Sequence, residues 1–193
     1  MDVVGIVAEY NPFHPGHAFH IRETRRLLGP CAVVAAMSGN WVQRGECAVL
    51  DKWSRARSAL EGGADLVLEL PTVYAMSSAE GFARGAVGIL AGTGVVTHLS
   101  FGSECGDGDK LRQAADCLDS GAYRAALRRF LDRGLPFAAC RQAAVAELLG
   151  EGTAGLLAQP LIIGSVYGHS GHNKHIDFLS YLLNGFPLVL PYD

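Results

Sequence analysis

Apolar residues fall into short runs separated by longer amphipathic stretches, an alternation that holds from the N-terminus to about residue 101. Val3 to Ala8 is a β-branched run of the length of a strand buried on both faces. Asn11-Pro12 stops it, and Ala18 to Leu28 reads as a helix with Phe19, Leu27 and Leu28 inward and Arg22, Glu23, Arg25 and Arg26 outward. Gly29-Pro30 breaks that helix, and Cys31 to Met37 is a second strand turned by Ser38-Gly39-Asn40. Asp51 to Gly62 predicts a helix with Trp53, Ala56 and Leu60 as its buried stripe and Lys52, Arg55, Arg57 and Glu61 as its charged side. Ala64 to Leu70 follows as strand three, then a helix from about Ser77 to Ala91 with Phe82, Val87 and Leu90 on its core side, and Val95 to Phe101 as strand four.

A β-α-β alternation calls for a parallel sheet. The fold class is therefore α/β, a Rossmann-like parallel sheet with helices on both faces. From Lys110 to about Leu149 the pattern is helical throughout. The expected organisation is an α/β core over 1–109, a helical continuation of the same domain over 110–160, and a tail over 161–193.

Composition narrows the function classes. At 193 residues and 49% hydrophobic there is chain enough for one globular domain with a real core. A net charge of −3 offers no broad basic footprint, so any nucleic-acid contact rests on a local patch. Arg124, Arg128, Arg129, Arg133 and Arg141 are the candidates for such a patch, the alternative being a solvated helix face. The five cysteines are odd in number and lack C-x-x-C spacing, which suits reduced thiols in the cytoplasm. No apolar run reaches the ~20 residues of a membrane span, and no signal peptide is visible, so no membrane partner is expected.

The candidate chemistry lies between the first strand and first helix. His14, Pro15, Gly16 and His17 form an H-x-G-H sequence where a strand feeds a helix, which sets two imidazoles beside free backbone N–H groups at the positive helix end, a good place for phosphate. Gly16 leaves room for a nucleotide to approach the backbone, and the imidazoles can donate to oxygens whose charge builds as a phosphorus becomes five-coordinate. The competing arrangement has one histidine capping the helix and the other packed in the core. Ser38 to Glu46 falls at the carboxyl edge of strand two, where open α/β sheets bind ligands, with Arg44, Asn40 and Gln43 as polar candidates, or else an ordinary surface loop with an Arg44–Glu46 pair. Gly102 continues strand four at the same edge, against a nucleoside or as a tight turn. His169, His172 and His175 have helical metal-ligand spacing, but Gly168 and Gly171 interrupt the helix, and no metal site is assigned.

The block Gly5-Ile-Val-Ala-Glu-Tyr-Asn-Pro-Phe-His-Pro-Gly-His17 resembles the nucleotidyltransferase-type fold with its H-x-G-H signature. With Met37-Ser-Gly-Asn-Trp-Val-Gln-Arg-Gly-Glu46, Gly63-Ala-Asp-Leu-Val-Leu-Glu-Leu-Pro71 and Phe101-Gly-Ser-Glu104, the chain is similar to the bacterial tRNA(Met) cytidine acetate ligases. The resemblance implies a ligase that uses ATP, with Mg²⁺ expected alongside, to activate acetate as acetyl-adenylate and pass the acetyl group to the wobble cytidine of elongator tRNA(Met). It implies His14 and His17 as catalytic residues. It also implies ATP contacts from Val7, Ala8, Glu9, Tyr10, Asn11, Pro12, Phe13, His14, Pro15, Gly16, His17, Ala18, Phe19 and His20, and from Gly102. Alternatives are a nucleotidyltransferase acting on a small phosphorylated substrate and a catalytically inactive tRNA-binding fragment. The likeness runs through Pro160. Where the family continues with a Pro-Asn-Asn helix start and then an ATP-contacting arginine segment, Leu161 to His175 does not match.

Overall fold

The computed structural model describes residues 1–103, 108–156, 161–162 and 188–189. In chain order it contains β1 (Asp2–Ala8), α1 (Pro15–Leu28), β2 (Cys31–Ser38), α2 (Lys52–Glu61), β3 (Leu66–Leu70), α3 (Thr72–Ala75), α4 (Ala79–Gly92), β4 (His98–Ser100), β5 (Gly102–Ser103), α5 (Gly108–Asp119), α6 (Gly121–Leu131), α7 (Phe137–Leu149), α8 (Glu151–Leu156), β6 (Leu161–Ile162) and β7 (Leu188–Val189). Five strands form one sheet in the order β3-β2-β1-β4-β7, every neighbouring pair parallel. Val4 of β1 pairs with Val33 of β2 on one side and with His98 of β4 on the other. The chain therefore reverses its direction of travel across the sheet beside β1, which places a topological switch point between β1 and β4.

Alternation along the strands divides the core into two layers. Val4, Ile6 and Ala8 of β1 and Val33, Ala35 and Met37 of β2 pack on one face with Ile21 of α1 and Ala59 of α2. Val7, Val34, Ala36 and Leu99 lie on the other, with Phe82, Ala86 and Leu90 of α4 and with Leu111, Ala115, Tyr123 and Ala144 from the later helices. Gly5 permits the close approach of α4: a Cβ there would stand 2.8 Å from Leu90 Cδ1 and 3.0 Å from Leu99 Cδ2. The expected parallel sheet, helices on both faces and helical run after residue 110 are all present. No helix among the described residues is long and apolar enough to cross a membrane.

Three expectations about helix faces are corrected. In α1 the buried residues are His17, His20, Ile21 and Thr24, while Phe19 and Leu27 are exposed. The helix begins three residues earlier than its periodicity indicates, so its first turn contains the H-x-G-H sequence. Arg25 is not simply outward: it donates to Gly63 O and to Asp65 Oδ2, both at 2.7 Å, and Asp65 Oδ2 also accepts the Val33 N–H. In α2 the expected stripe is reversed, since Trp53 is 74% exposed and Leu60 is exposed, whereas Arg55 and Ala59 are fully buried. In the helical run, Arg141 is buried on α7 with its guanidinium 5.8 Å from the Phe137 ring, which removes it from the basic surface.

Candidate functional site: a paired-histidine corner at the switch point

The corner begins where β1 ends. Glu9 and Tyr10 are buried, and Tyr10 adopts the left-handed conformation at φ 47, costly for a bulky residue and held here by its surroundings. The Tyr10 ring packs edge-on against Phe13 at 4.9 Å and against His17 at 4.7 Å. Burial pushes the Tyr10 phenol well above its ordinary range, and its hydroxyl has no hydrogen-bond partner among the described residues. The Asn11–Pro12 peptide is cis.

His14 is the N-cap of α1, in extended conformation, and Pro15 opens the helix. His14 Nδ1 accepts from Gly16 N at 3.1 Å, and His17 Nδ1 accepts from His14 N at 3.1 Å, so the two histidines form a reciprocal capping box in place of the usual serine and glutamate. Each Nδ1 is thus a lone-pair acceptor, which in a neutral imidazole leaves the proton on Nε2. The rings stack at 3.8 Å between centroids and 24° between planes. A Cβ on Gly16 would stand 2.8 Å from His14 Cε1, so glycine gives the ring its seat.

The backbone does not supply the free donors that the sequence led us to expect. Pro15 has no N–H, Gly16 N is taken by the His14 ring, and His17 N and Ala18 N both point to His14 O. Helix-end donors for an anion are therefore the imidazole Nε2–H groups, backed by the helix dipole.

The segment after β2 is sewn to this corner. Glu9 Oε1 accepts from Gln43 N at 2.8 Å and Asn11 Oδ1 accepts from Val49 N at 2.7 Å, while Asn40 Oδ1 accepts from Lys52 N at 2.9 Å and so ties the segment to the start of α2. Ser38 to Glu46 and the histidine corner thus share one edge, as their order in the sequence implied. Arg55 joins them from beneath through backbone carbonyls. The sequence pattern puts Arg55 on the charged side of α2, because a cation on an amphipathic helix reads as its solvated face.

The other wall comes from β4. His20 Nε2 lies 2.9 Å from Ser100 Oγ, which lies 2.7 Å from Thr24 Oγ1, and Thr24 donates to His20 O at 2.9 Å. With the Thr24 proton so used, Ser100 donates to Thr24 and His20 Nε2 donates to Ser100. Burial pushes His20 down to about 4, so it is neutral. This link fixes α1 against the end of β4. Beyond it, Gly102 is buried in the short strand β5, paired antiparallel with Ile162 of β6, rather than continuing β4.

A family model describing HIGH nucleotidyl transferases matches residues 1–178. The chain belongs to the HIGH nucleotidyl transferase family. Among relatives of this HIGH nucleotidyl transferase, the tRNA(Met) cytidine acetate ligase of Caldanaerobacter subterraneus is 49% identical over 153 residues, which are 78% of this chain and 38% of that protein. The enzyme of the same name from Acetivibrio thermocellus is 46% identical over 167 residues, 86% of this chain and 39% of that one. A crystal structure of Thermotoga maritima TmcAL bound with alpha-thio ATP superimposes with a TM-score of 0.82 at 36% identity, covering 100% of this chain and 47% of that one. The chain spans about two fifths of the length of the curated relatives it matches.

The remaining sequence-derived site residues of this HIGH nucleotidyl transferase distribute by depth. Val7 and Ala8 are buried in β1, Phe13 and Ala18 are half-buried, and Pro12, Pro15, Gly16 and Phe19 are exposed. Of the arginine candidates, Arg124, Arg128, Arg129 and Arg133 are exposed; Arg129 pairs with Glu147, and Arg133 lies 5.0 Å from the Phe130 ring. Among the described residues no three His, Cys, Asp or Glu side chains stand together as a metal site. The Arg44 side chain, Glu104, the tail from 163 to 187 and its histidines His169, His172 and His175 lie outside what is described.

Proposed function

We propose that this chain carries the acetate-activating step of a tRNA(Met) cytidine acetate ligase, with ATP, acetate and tRNA(Met) as substrates, acting in the cytoplasm. The observation that carries the reading is the pair of stacked imidazoles whose Nδ1 atoms are both occupied, so that both Nε2 atoms bear protons at the positive end of α1, beside the switch point. Such a corner fits a nucleotide triphosphate: two fixed N–H donors, a glycine seat and no carboxylate in the turn itself.

In the reaction an acetate oxygen attacks the α-phosphorus of ATP, the bond to the β-phosphate oxygen breaks, and pyrophosphate leaves with that electron pair. His14 and His17 donate from Nε2 to oxygens on which charge accumulates. The exocyclic amine of the cytidine then attacks the acetyl carbonyl, AMP departs and the amine loses a proton. A magnesium ion bound with ATP would supply charge neutralisation for the departing pyrophosphate. On this reading the nucleotide contacts come from Val7 to His20 and from Gly102, of which Val7, Ala8, Glu9, Tyr10, His17, His20 and Gly102 are buried and the others half-buried or exposed.

ATP–pyrophosphate exchange with acetate present, with and without tRNA, tests this reading. Acetate-dependent exchange is expected in both conditions, and His17→Ala is expected to lower it about 10²–10³-fold. Exchange at background sinks the assignment. A product that retains AMP when ATP and acetate are labelled separately would point to nucleotidyl transfer onto a small phosphorylated substrate.

A further inference from the structure

Arg55 has the largest side chain among those fully buried, at 0% exposure. Its Nε donates to Leu50 O at 3.1 Å, Nη1 to Glu9 O at 2.5 Å and Nη2 to Ser38 O at 3.0 Å, with Gly39 O as a further acceptor of Nη2. These partners are all main-chain carbonyls. The acids close enough to favour its charge are each engaged elsewhere: Glu9 with Gln43 N, Asp51 as the N-cap of α2, and Glu69 with Lys52. Burying a guanidinium without a carboxylate in contact is expensive, and a neutral side chain of similar volume would satisfy packing alone. A specific geometric task accounts for its presence.

The task is legible in the acceptors. Glu9 follows the last residue of β1, Ser38 ends β2 and Gly39 starts the segment that follows, while Leu50 closes that segment before α2. One planar fork thus ties together both strand ends and both ends of the 39–50 segment. Glu9 leads directly into Tyr10, whose ring bears on His17 at 4.7 Å. We infer that Arg55 is a positioning residue for the activation step, fixing through Glu9 and Tyr10 the attitude of the His14–His17 pair without touching substrate. The inference rests on the proposed phosphate-stabilising role of those histidines.

Lysine keeps the charge but offers a point ammonium in place of the planar fork, and cannot span carbonyls on two strands. In the full protein, Arg55→Lys is expected to lower kcat for acetate-dependent exchange about 10²-fold while the KM for ATP stays within about threefold. Nitrogen-15 spectra of the imidazoles should show His14 and His17 leaving the single Nε2–H tautomer for a mixture. A folded Arg55→Lys protein with wild-type exchange and an unchanged tautomer pattern overturns the inference. Wild-type protein without exchange refutes the histidine role instead, and the tautomer measurement still judges Arg55. If Arg55→Lys does not fold, Arg55→Ala with added guanidinium ion provides the second test. Return of the tautomer pattern and rate together supports the inference; return of thermal stability alone refutes it.

Discussion

His14 and His17 each accept a backbone N–H at Nδ1, the one from Gly16 and the other from His14 itself, so that the helix cap and the proposed pair of anion donors are the same four residues. Structure and chemistry can be separated there because they use opposite nitrogens of each ring. Nδ1 holds the turn, and on the proposed reading Nε2 is the working atom.

Asparagine at position 14 imitates the first nitrogen and lacks the second. Its Oδ1 can accept the Gly16 N–H, and asparagine is a favoured N-cap. His14→Asn is expected to change unfolding free energy by no more than about 0.5 kcal/mol in urea titration, yet to reduce acetate-dependent exchange by about 10²–10³. A loss of activity that merely follows a loss of folded protein would contradict the division of labour.

His20 predicts an acid limit to stability. Its ordinary value of 6.5 is lowered by burial to about 4, so the unfolded chain takes up a proton that the folded chain refuses. The stabilisation is whole above pH 6.5, declines as the pH falls from 6.5 toward 4, and is exhausted below that, for a total on the order of 3 kcal/mol. Urea midpoints measured across this range should fall more steeply for the wild type than for His20→Gln, whose amide can still donate toward Ser100 without titrating. Parallel slopes would remove His20 from the acid response.

The orientation of α2 can be checked by stability alone. Trp53→Ala, at a side chain facing solvent, is expected to shift the unfolding free energy by less than about 0.5 kcal/mol. Ala59→Leu, at a position with no exposure, is expected to cost roughly 1–3 kcal/mol through overpacking. The reverse ranking would restore the face that hydrophobicity suggests.

The first four strands were readable as short apolar runs, whereas the strand order, and with it the switch point, came only with the structure. Hidden from the sequence were polar groups satisfied by partners remote in the chain. Arg55 looks solvated until the carbonyls of Glu9, Ser38 and Gly39 are gathered around it. His20 looks like a ligand-facing neighbour of His17 until Ser100 arrives from β4. The first turn of α1 looks rich in free donors until His14 folds its ring back onto Gly16. In each case periodicity reports which residues are apolar, whereas the outcome depends on which polar partner the tertiary fold delivers.

Because Val4 draws one neighbour from Val33 and the other from His98, the histidine corner is flanked on both sides only by segments far apart in the chain. A nascent chain leaving the ribosome can assemble β1, α1 and β2 early, but the far wall is missing until a strand nearly a hundred residues downstream has docked. On the proposed reading, competence to hold nucleotide therefore waits on the docking of β4, and a translation product arrested before His98 carries the histidines on an open sheet edge.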